Sequence, residues 1–324
     1  MQNPRVFVTR ELPGNALEVL KARTRMEVWP DPMPPTREQL IEKVRDCDGL
    51  LTLVTDRVDR ALLEAAPKLR VVSNMGVGYD NIDVAACTQR RIPVGNTPGV
   101  LTDATADLAF ALLLAAARRL PEARNYVLEG RWKTWHPSLL LGRDVHGATL
   151  GIIGMGQIGR AMATRARGFG MKILYSDIQK PDVEVEIGAI RAEQNELLRE
   201  ADFVSLHVPF MPQTRHLIGA TELALMKPTS VLINTSRGGV VDQAALAAAL
   251  RAGRPGAAAL DVTDPEPIVA SDPLLNLPNA LVVPHIGSAS VQARAKMASL
   301  AVENLLAGLE GKPLVHSVNP QVLA

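Results

Sequence analysis

The chain has 324 residues, 47% of them hydrophobic and 21% charged, with 35 Lys plus Arg against 34 Asp plus Glu and a formal net charge of +1. That balance supplies no long-range field for a polyanion, and aromatic residues at 3% offer few platforms for stacked bases, so nucleic-acid binding is not expected. Single hydrophobic cores stop growing at roughly 250 to 300 residues, so two domains are expected.

The first hundred residues alternate short apolar runs with helical patterns. Residues 5–10, 26–29, 49–54, 70–75 and 93–96 read as strands, and 13–22, 36–44, 59–65 and 83–89 as helices. This alternation predicts right-handed βαβ units and a parallel sheet covered on both faces. A long helix follows, with Thr102 as N-cap and Pro121 stopping or kinking it after Leu120. Its most apolar part, 108–117, is half the roughly 20 residues a membrane span needs. A second alternation begins at Thr149, with strands at 149–154, 172–177, 203–208, 231–235, 257–262 and 281–284, and a strand or loop at 187–191. Residues 290–309 are again helical.

Cys47 and Cys87 stand forty positions apart with no CxxC pair, so neither a disulfide framework nor a metal site is expected. The N-terminal run lacks the apolar core of a signal peptide, and cytoplasmic residence is the expectation.

Two sets of residues carry chemistry. The first is Gly154-Met155-Gly156-Gln157-Ile158-Gly159, which follows one predicted strand and opens a predicted helix. In that setting Gly154 makes a tight turn, Gly156 admits a pyrophosphate and Gly159 lets helix and strand pack closely. Asp177 ends the next strand eighteen residues after Gly159, where a carboxylate hydrogen-bonds a ribose 2′-hydroxyl and repels a 2′-phosphate. NAD is therefore the expected cofactor, with NADP as the weaker alternative. Lys180, three residues on, is a cation that softens this discrimination.

The second set is Arg237, Glu266 and His285, each just beyond the carboxyl end of a predicted strand, where open α/β sheets bind their ligands. Reducing a 2-oxo acid needs an anchor for its carboxylate, a proton for the developing alkoxide, and a group that keeps the proton donor charged. The planar fork of Arg237 suits the first, the imidazole of His285 the second, and the carboxylate of Glu266 the third. His136, His146, His207, His216 and His316 lack such a context and read as structural or surface residues.

Together with VGYDNID at 77–83, NTPGVLT at 96–102, NTSRG at 234–238 and PHIGS at 284–288, these motifs resemble the D-isomer-specific 2-hydroxyacid dehydrogenases over essentially the whole chain. PGVLTDATA at 98–106 and the pair Trp132 and Trp135 are most similar to the glyoxylate and hydroxypyruvate reductases among them. The resemblance implies two doubly wound α/β domains: a flavodoxin-like substrate-binding domain formed by 1–98 and 287–324, and a Rossmann dinucleotide-binding domain at 99–286 inserted into it. It implies a homodimer, and closure of the domains across hinges near 97–100 and 284–288. It assigns substrate contacts to Leu53, Val77, Gly78, Arg237 and Ser288, and cofactor contacts to Thr105, Gly154, Gly156, Gln157, Ile158, Gly159, Asp177, Pro209, Thr214, Thr235, Asp261, His285 and Gly287. By the same likeness Trp135 reaches into the partner's active site; its other reading is a core tryptophan beneath the long helix. The expected reaction is reduction of glyoxylate or hydroxypyruvate to glycolate or D-glycerate. The same fold also serves dehydrogenases of phosphite, formate, D-lactate or phosphoglycerate, and corepressors that sense NADH without catalysis.

Overall fold

The computed structural model describes residues 3–179 and 187–323. The chain divides into two compact units, one made of 1–101 and 288–324 and the other of 102–287.

In the first unit, strands β1 (Arg5–Val8), β2 (Arg25–Val28), β3 (Gly49–Thr52), β4 (Val71–Asn74) and β5 (Val94–Gly95) form a parallel sheet in the order β2-β1-β3-β4-β5. Three of the four intervening helices start where the sequence supplies a cap. The side chains of Thr36, Asp59 and Asp83 accept hydrogen bonds from the amides of Gln39, Leu62 and Ala86, meeting donors that a helix start otherwise leaves unsatisfied. Phe7, Leu50, Val72 and Val94 bury one sheet face against Leu40, Leu62 and Cys87. The last helix, Val291–Leu309, capped by Ser290, packs on β3 and β4 with Met297, Ala301 and Leu305 buried. The chain thus leaves this unit after 101 and rejoins it at 288.

The second unit holds seven parallel strands: β6 (Thr149–Ile153), β7 (Lys172–Ser176), β8 (Ile190–Arg191), β9 (Phe203–Leu206), β10 (Val231–Asn234), β11 (Ala257–Leu260) and β12 (Ala280–Val282). Their order is β12-β11-β10-β9-β6-β7-β8, so the direction of winding reverses between β6 and β9. Side chains alternate across this sheet with period two. Leu150, Ile152, Ile173, Tyr175 and Ile233 face one core with the helix Thr102–Ala117, and Ile153, Leu174, Val204, Leu206 and Leu232 face the other. Burial of each such side chain contributes about 1.5–3 kcal/mol, which is why these strands are nearly continuous apolar runs.

Two local expectations change. Pro121 does not stop the long helix. That helix ends at Ala117, Arg119 takes a left-handed φ of 54°, and Pro121 sits in the first turn of a new helix, Leu120–Leu128, where its missing N–H costs nothing. Thr102 is the first helical residue rather than the cap before it. Among the described residues no helix is long and apolar enough to cross a membrane.

Candidate active site

The loop after β6 shows why its three glycines stand where they do. Gly154 has φ +94°, and a Cβ there would lie 2.6 Å from the carbonyl oxygen of His207. A Cβ on Gly159 would lie 2.2 Å from the carbonyl oxygen of Gly154. Packing within the chain therefore demands both. Gly156 is different: it is exposed, and among the described residues a Cβ there meets no atom within 4 Å. No described residue requires glycine at 156, so the free approach it leaves fits a ligand rather than a neighbouring element. The helix Gln157–Gly168 begins immediately after it, presenting first-turn amides and the positive end of its dipole. Two substitutions separate these roles. Gly159→Ala is expected to lower the melting temperature by several degrees, whereas Gly156→Ala should leave it unchanged and weaken NADH binding roughly tenfold or more, read by fluorescence titration. Equal NADH affinity in Gly156→Ala and wild type would refute the role given to Gly156.

Asp177 stands just past β7, half-buried beside this turn. Its Oδ2 accepts from the Met155 amide at 2.7 Å and its Oδ1 from the Gln179 amide at 2.8 Å, so the carboxylate is locked at the rim of a groove lined by Met155, Gly156, Gln157, Arg160, Asp177 and Gln179. Lys180 lies outside the described residues. Gln157 is exposed and accepts from the Thr102 hydroxyl at 3.4 Å; Ile158 is half-buried in the same turn. Beyond β9, the Thr214 hydroxyl donates to the Pro209 carbonyl at 2.7 Å and accepts from the Met211 amide at 2.8 Å, fixing that loop. Thr105 is buried. Among the described residues the buried hydroxyl of Thr235 has no hydrogen-bond partner. An unmet hydroxyl beyond β10 and an open glycine beyond β6 are what a dinucleotide lying across the carboxyl edge of this sheet would satisfy, so the residues present fit that group. Asp261, like Asp177, has its carboxylate fixed by backbone amides. Its oxygens accept from the amides of Ile286 at 2.6 Å and Gly287 at 2.8 Å, and burial, opposed by those amides, raises its carboxyl above the usual range.

Arg237, Glu266 and His285 follow β10, β11 and β12. The Arg237 carbonyl accepts from the side-chain amide of Asn234 at 2.9 Å, and the next residue, Gly238, packs so tightly on the backbone of Thr263 that a Cβ would lie 2.0 Å away. Glu266 lies in the turn 263–267, where the Thr263 hydroxyl donates to the Pro265 carbonyl. His285 has a left-handed φ of 51°, an unfavourable conformation for a residue with a Cβ, and its amide donates to the Asp261 carbonyl at 2.9 Å. Its Nδ1–H donates to Glu266 Oε1 at 2.5 Å, with the two side chains 30% and 36% exposed. Partial burial pushes the Glu266 carboxyl up. The hydrogen bond and charge of His285, the Thr263 backbone and the charge of Arg237 outweigh it and hold the carboxyl below its ordinary value. Glu266 therefore stays ionised and holds Nδ1, leaving Nε2 without a partner among the described residues and free to move a proton.

Trp135 is not a core residue: it is 79% exposed and Trp132 61%. Leu53, Val77, Gly78 and Ser288 are half-buried residues of the first unit. His207, which the sequence suggests is structural or at the surface, directly follows β9; its carbonyl crowds Gly154 and its Nε2 lies 2.8 Å from Ser205 Oγ. Burial drives its pKa down to about 4, so it is a neutral support beneath the glycine turn. Among the described residues no cluster of three or more His, Cys, Asp or Glu is arranged to hold a metal.

Residues 110–287 match the family model of the D-isomer specific 2-hydroxyacid dehydrogenase NAD binding domain. A glyoxylate reductase from Korarchaeum cryptofilum is 53% identical over 322 residues, spanning 99% of this chain and 97% of that protein. The crystal structure of a Thermus thermophilus protein matches with a TM-score of 0.92 at 47% identity, covering 97% of this chain and 99% of that one. An NADPH-dependent glyoxylate/hydroxypyruvate reductase from Sinorhizobium meliloti, solved in complex with NADP and malonate, matches with a TM-score of 0.83 at 33% identity over 98% of this chain and 97% of its own.

Proposed function

The chain belongs to the D-isomer specific 2-hydroxyacid dehydrogenase family, and we propose that it is a glyoxylate reductase in which His285 is the proton donor and Arg237 the carboxylate anchor. The observation that carries this reading is the contact from His285 Nδ1 to Glu266 Oε1, which commits one ring nitrogen to a carboxylate and leaves the other for the substrate oxygen. The nicotinamide dinucleotide, when bound, supplies the hydride that reduces the carbonyl carbon.

The chain's own residues do the rest. Arg237 binds the substrate carboxylate through its fork and orients the carbonyl. His285 Nε2–H gives its proton to the developing alkoxide, and Glu266 stabilises the imidazolium that holds that proton beforehand. In the oxidative direction the same nitrogen takes the proton from the 2-hydroxyl. In the first unit we assign, by the family likeness, a carboxylate contact to the amides of Val77 and Gly78 and substrate contacts to Leu53 and Ser288. Hydroxypyruvate differs from glyoxylate by a hydroxymethyl group and is the second substrate of this reading.

The family domain takes NAD or NADP. For this chain we assign a preference for NADH to Asp177, whose fixed carboxylate meets a ribose diol as an acceptor and a 2′-phosphate as a like charge. Initial rates with glyoxylate, hydroxypyruvate and pyruvate, each with NADH and NADPH, test both parts. Glyoxylate with NADH is expected to give the highest kcat/KM, and Asp177→Ala to reduce the NADH-to-NADPH ratio by about tenfold or more. A ratio unchanged by Asp177→Ala would remove Asp177 from this role.

The chain also presents an apolar arm. The helix Leu120–Leu128 buries none of its residues, and Leu128, Trp132, Trp135 and Leu141 are exposed after it. An exposed apolar stretch of this kind is an association surface, and a second copy of the chain is the partner assigned to it, with Trp135 entering that copy's site. Sedimentation at about twice the chain mass of 34.8 kDa is expected, and Trp135→Ala with Leu128→Glu should return it to one. A wild-type protein sedimenting as one chain would contradict this.

A further inference from the structure

We infer that Asn96 and Asn74 are positioning residues that set the peptide planes of the loop 76–79, aiming its amides at the substrate carboxylate. The inference rests on the reading above that the Val77 and Gly78 amides bind that group.

The loop follows β4 and belongs to no helix or strand. All of its carbonyl oxygens are engaged within the first unit. The Gly76 oxygen accepts from the Thr97 amide at 2.9 Å, and the Val77 oxygen from Asn96 Nδ2 at 2.9 Å. The Gly78 oxygen accepts from Asn74 Nδ2 at 2.9 Å, and the Tyr79 oxygen from the Ile82 amide at 2.9 Å. The amides behave oppositely: among the described residues, no acceptor within the chain meets the N–H groups of Val77, Gly78 or Tyr79. In a trans peptide the C=O and the following N–H point in opposite directions. Each fastened carbonyl therefore fixes the direction of the next amide. Thr97 sets Val77, Asn96 sets Gly78, and Asn74 sets Tyr79. Three successive amides left without an internal partner are donors available to an anion.

The two asparagines are themselves held in place. Asn74 is 0% exposed, and its Oδ1 accepts from the Thr52 hydroxyl at 3.1 Å, which leaves its Nδ2 to donate to Gly78. Asn81 Nδ2 lies 3.5 Å from the same Oδ1 and donates to the carbonyl of Asp56 at 2.8 Å and of Leu53 at 3.1 Å. Asn304 Nδ2 donates to the Asn96 carbonyl at 2.9 Å. A chain that needed only a turn here has no use for side-chain donors on two consecutive carbonyls. A site that must keep amides pointing outward in the absence of substrate does, because the orientation is then complete before binding.

The test is Asn96→Ala, read by steady-state kinetics with glyoxylate and by inhibition with oxalate, a carboxylate probe that is not reduced. The expected result is a KM for glyoxylate and an inhibition constant for oxalate that both rise about tenfold, with kcat within threefold of wild type and NADH affinity unchanged. A structural role without positioning would not produce that split. Asn96→Asp, which keeps the shape and removes the donor, should behave like the alanine variant. Asn74 is fully buried, so Asn74→Ala serves as a second variant and the Asn96 variants decide the matter without it. Both constants within twofold of wild type in Asn96→Ala would overturn the inference while leaving the glyoxylate reading intact. A wild type that neither turns over glyoxylate nor binds oxalate would overturn the reading beneath it.

Discussion

His285→Gln is expected to lower kcat for glyoxylate reduction by roughly 10²- to 10⁴-fold, the span that a positioned general acid supplies. Glutamine keeps a hydrogen-bonding group near Glu266 but has no proton to give to an alkoxide near neutral pH. Because the glycine turn, Asp177 and Thr235 lie on other loops of the sheet, NADH affinity should change by no more than threefold, read by fluorescence. A variant retaining wild-type turnover would remove His285 from the reaction. Glu266→Gln should give a smaller loss with a distinct signature. The neutral amide is a weaker acceptor for Nδ1–H, so the ring is held less firmly and the loss falls in kcat with NADH affinity unchanged. Wild-type kcat in Glu266→Gln would mean that the 2.5 Å contact does not position the ring. Glu266 also affects stability. Its carboxyl is held below the usual value in the folded chain, so its contribution is full above about pH 4.3 and is lost as pH falls through the lower folded value.

Arg237→Gln is expected to reduce kcat/KM for glyoxylate by about 10²- to 10³-fold, most of it in KM. Losing one partner of a close charge pair costs about 2 to 5 kcal/mol, which spans this range. Arg237→Lys should recover only part of the loss, because a single ammonium replaces neither the fork nor the fixed angle it gives the substrate. The Arg237 charge also helps hold Glu266 ionised, so the Gln variant should shift the pH profile slightly as well. An Arg237→Gln enzyme with wild-type KM would place the carboxylate anchor elsewhere.

Much of the fold was readable because parallel strands buried on both faces are short, apolar and regularly interrupted. Each predicted strand is present, and nearly all stop one or two residues earlier than the apolar run suggests. The residues in that difference, such as Gly154, Asp177, His207, Thr235 and Asp261, are where the chain turns off the sheet edge, and they lie in or beside the candidate site. They are glycine or polar residues at the end of each apolar run, where regular pairing has already stopped. Pro121 misled because proline breaks a helix interior but is tolerated in a first turn, and only the left-handed residue at Arg119 shows which case applies.

At the candidate site, the local features were legible: a glycine turn after a strand, a carboxylate at the next strand end, and His285 beside a turn holding Glu266. The structure brings these last two together across nineteen positions. Residues that act through others were not legible. Asn74, Asn81 and Asn96 look in sequence like ordinary turn residues, since asparagine is common there for local reasons. Their contacts with Gly78, Leu53 and Val77 exist only after β3, β4 and β5 have aligned. The two backbone amides that fix Asp261 were not legible in the sequence either.

The central claim is tested most directly by mixing purified protein with NADH and glyoxylate and following absorbance at 340 nm alongside the glycolate formed. One NADH consumed per glycolate produced, at a rate that saturates in glyoxylate, is the predicted result. No loss of absorbance with glyoxylate, from a protein that binds NADH normally, would contradict it.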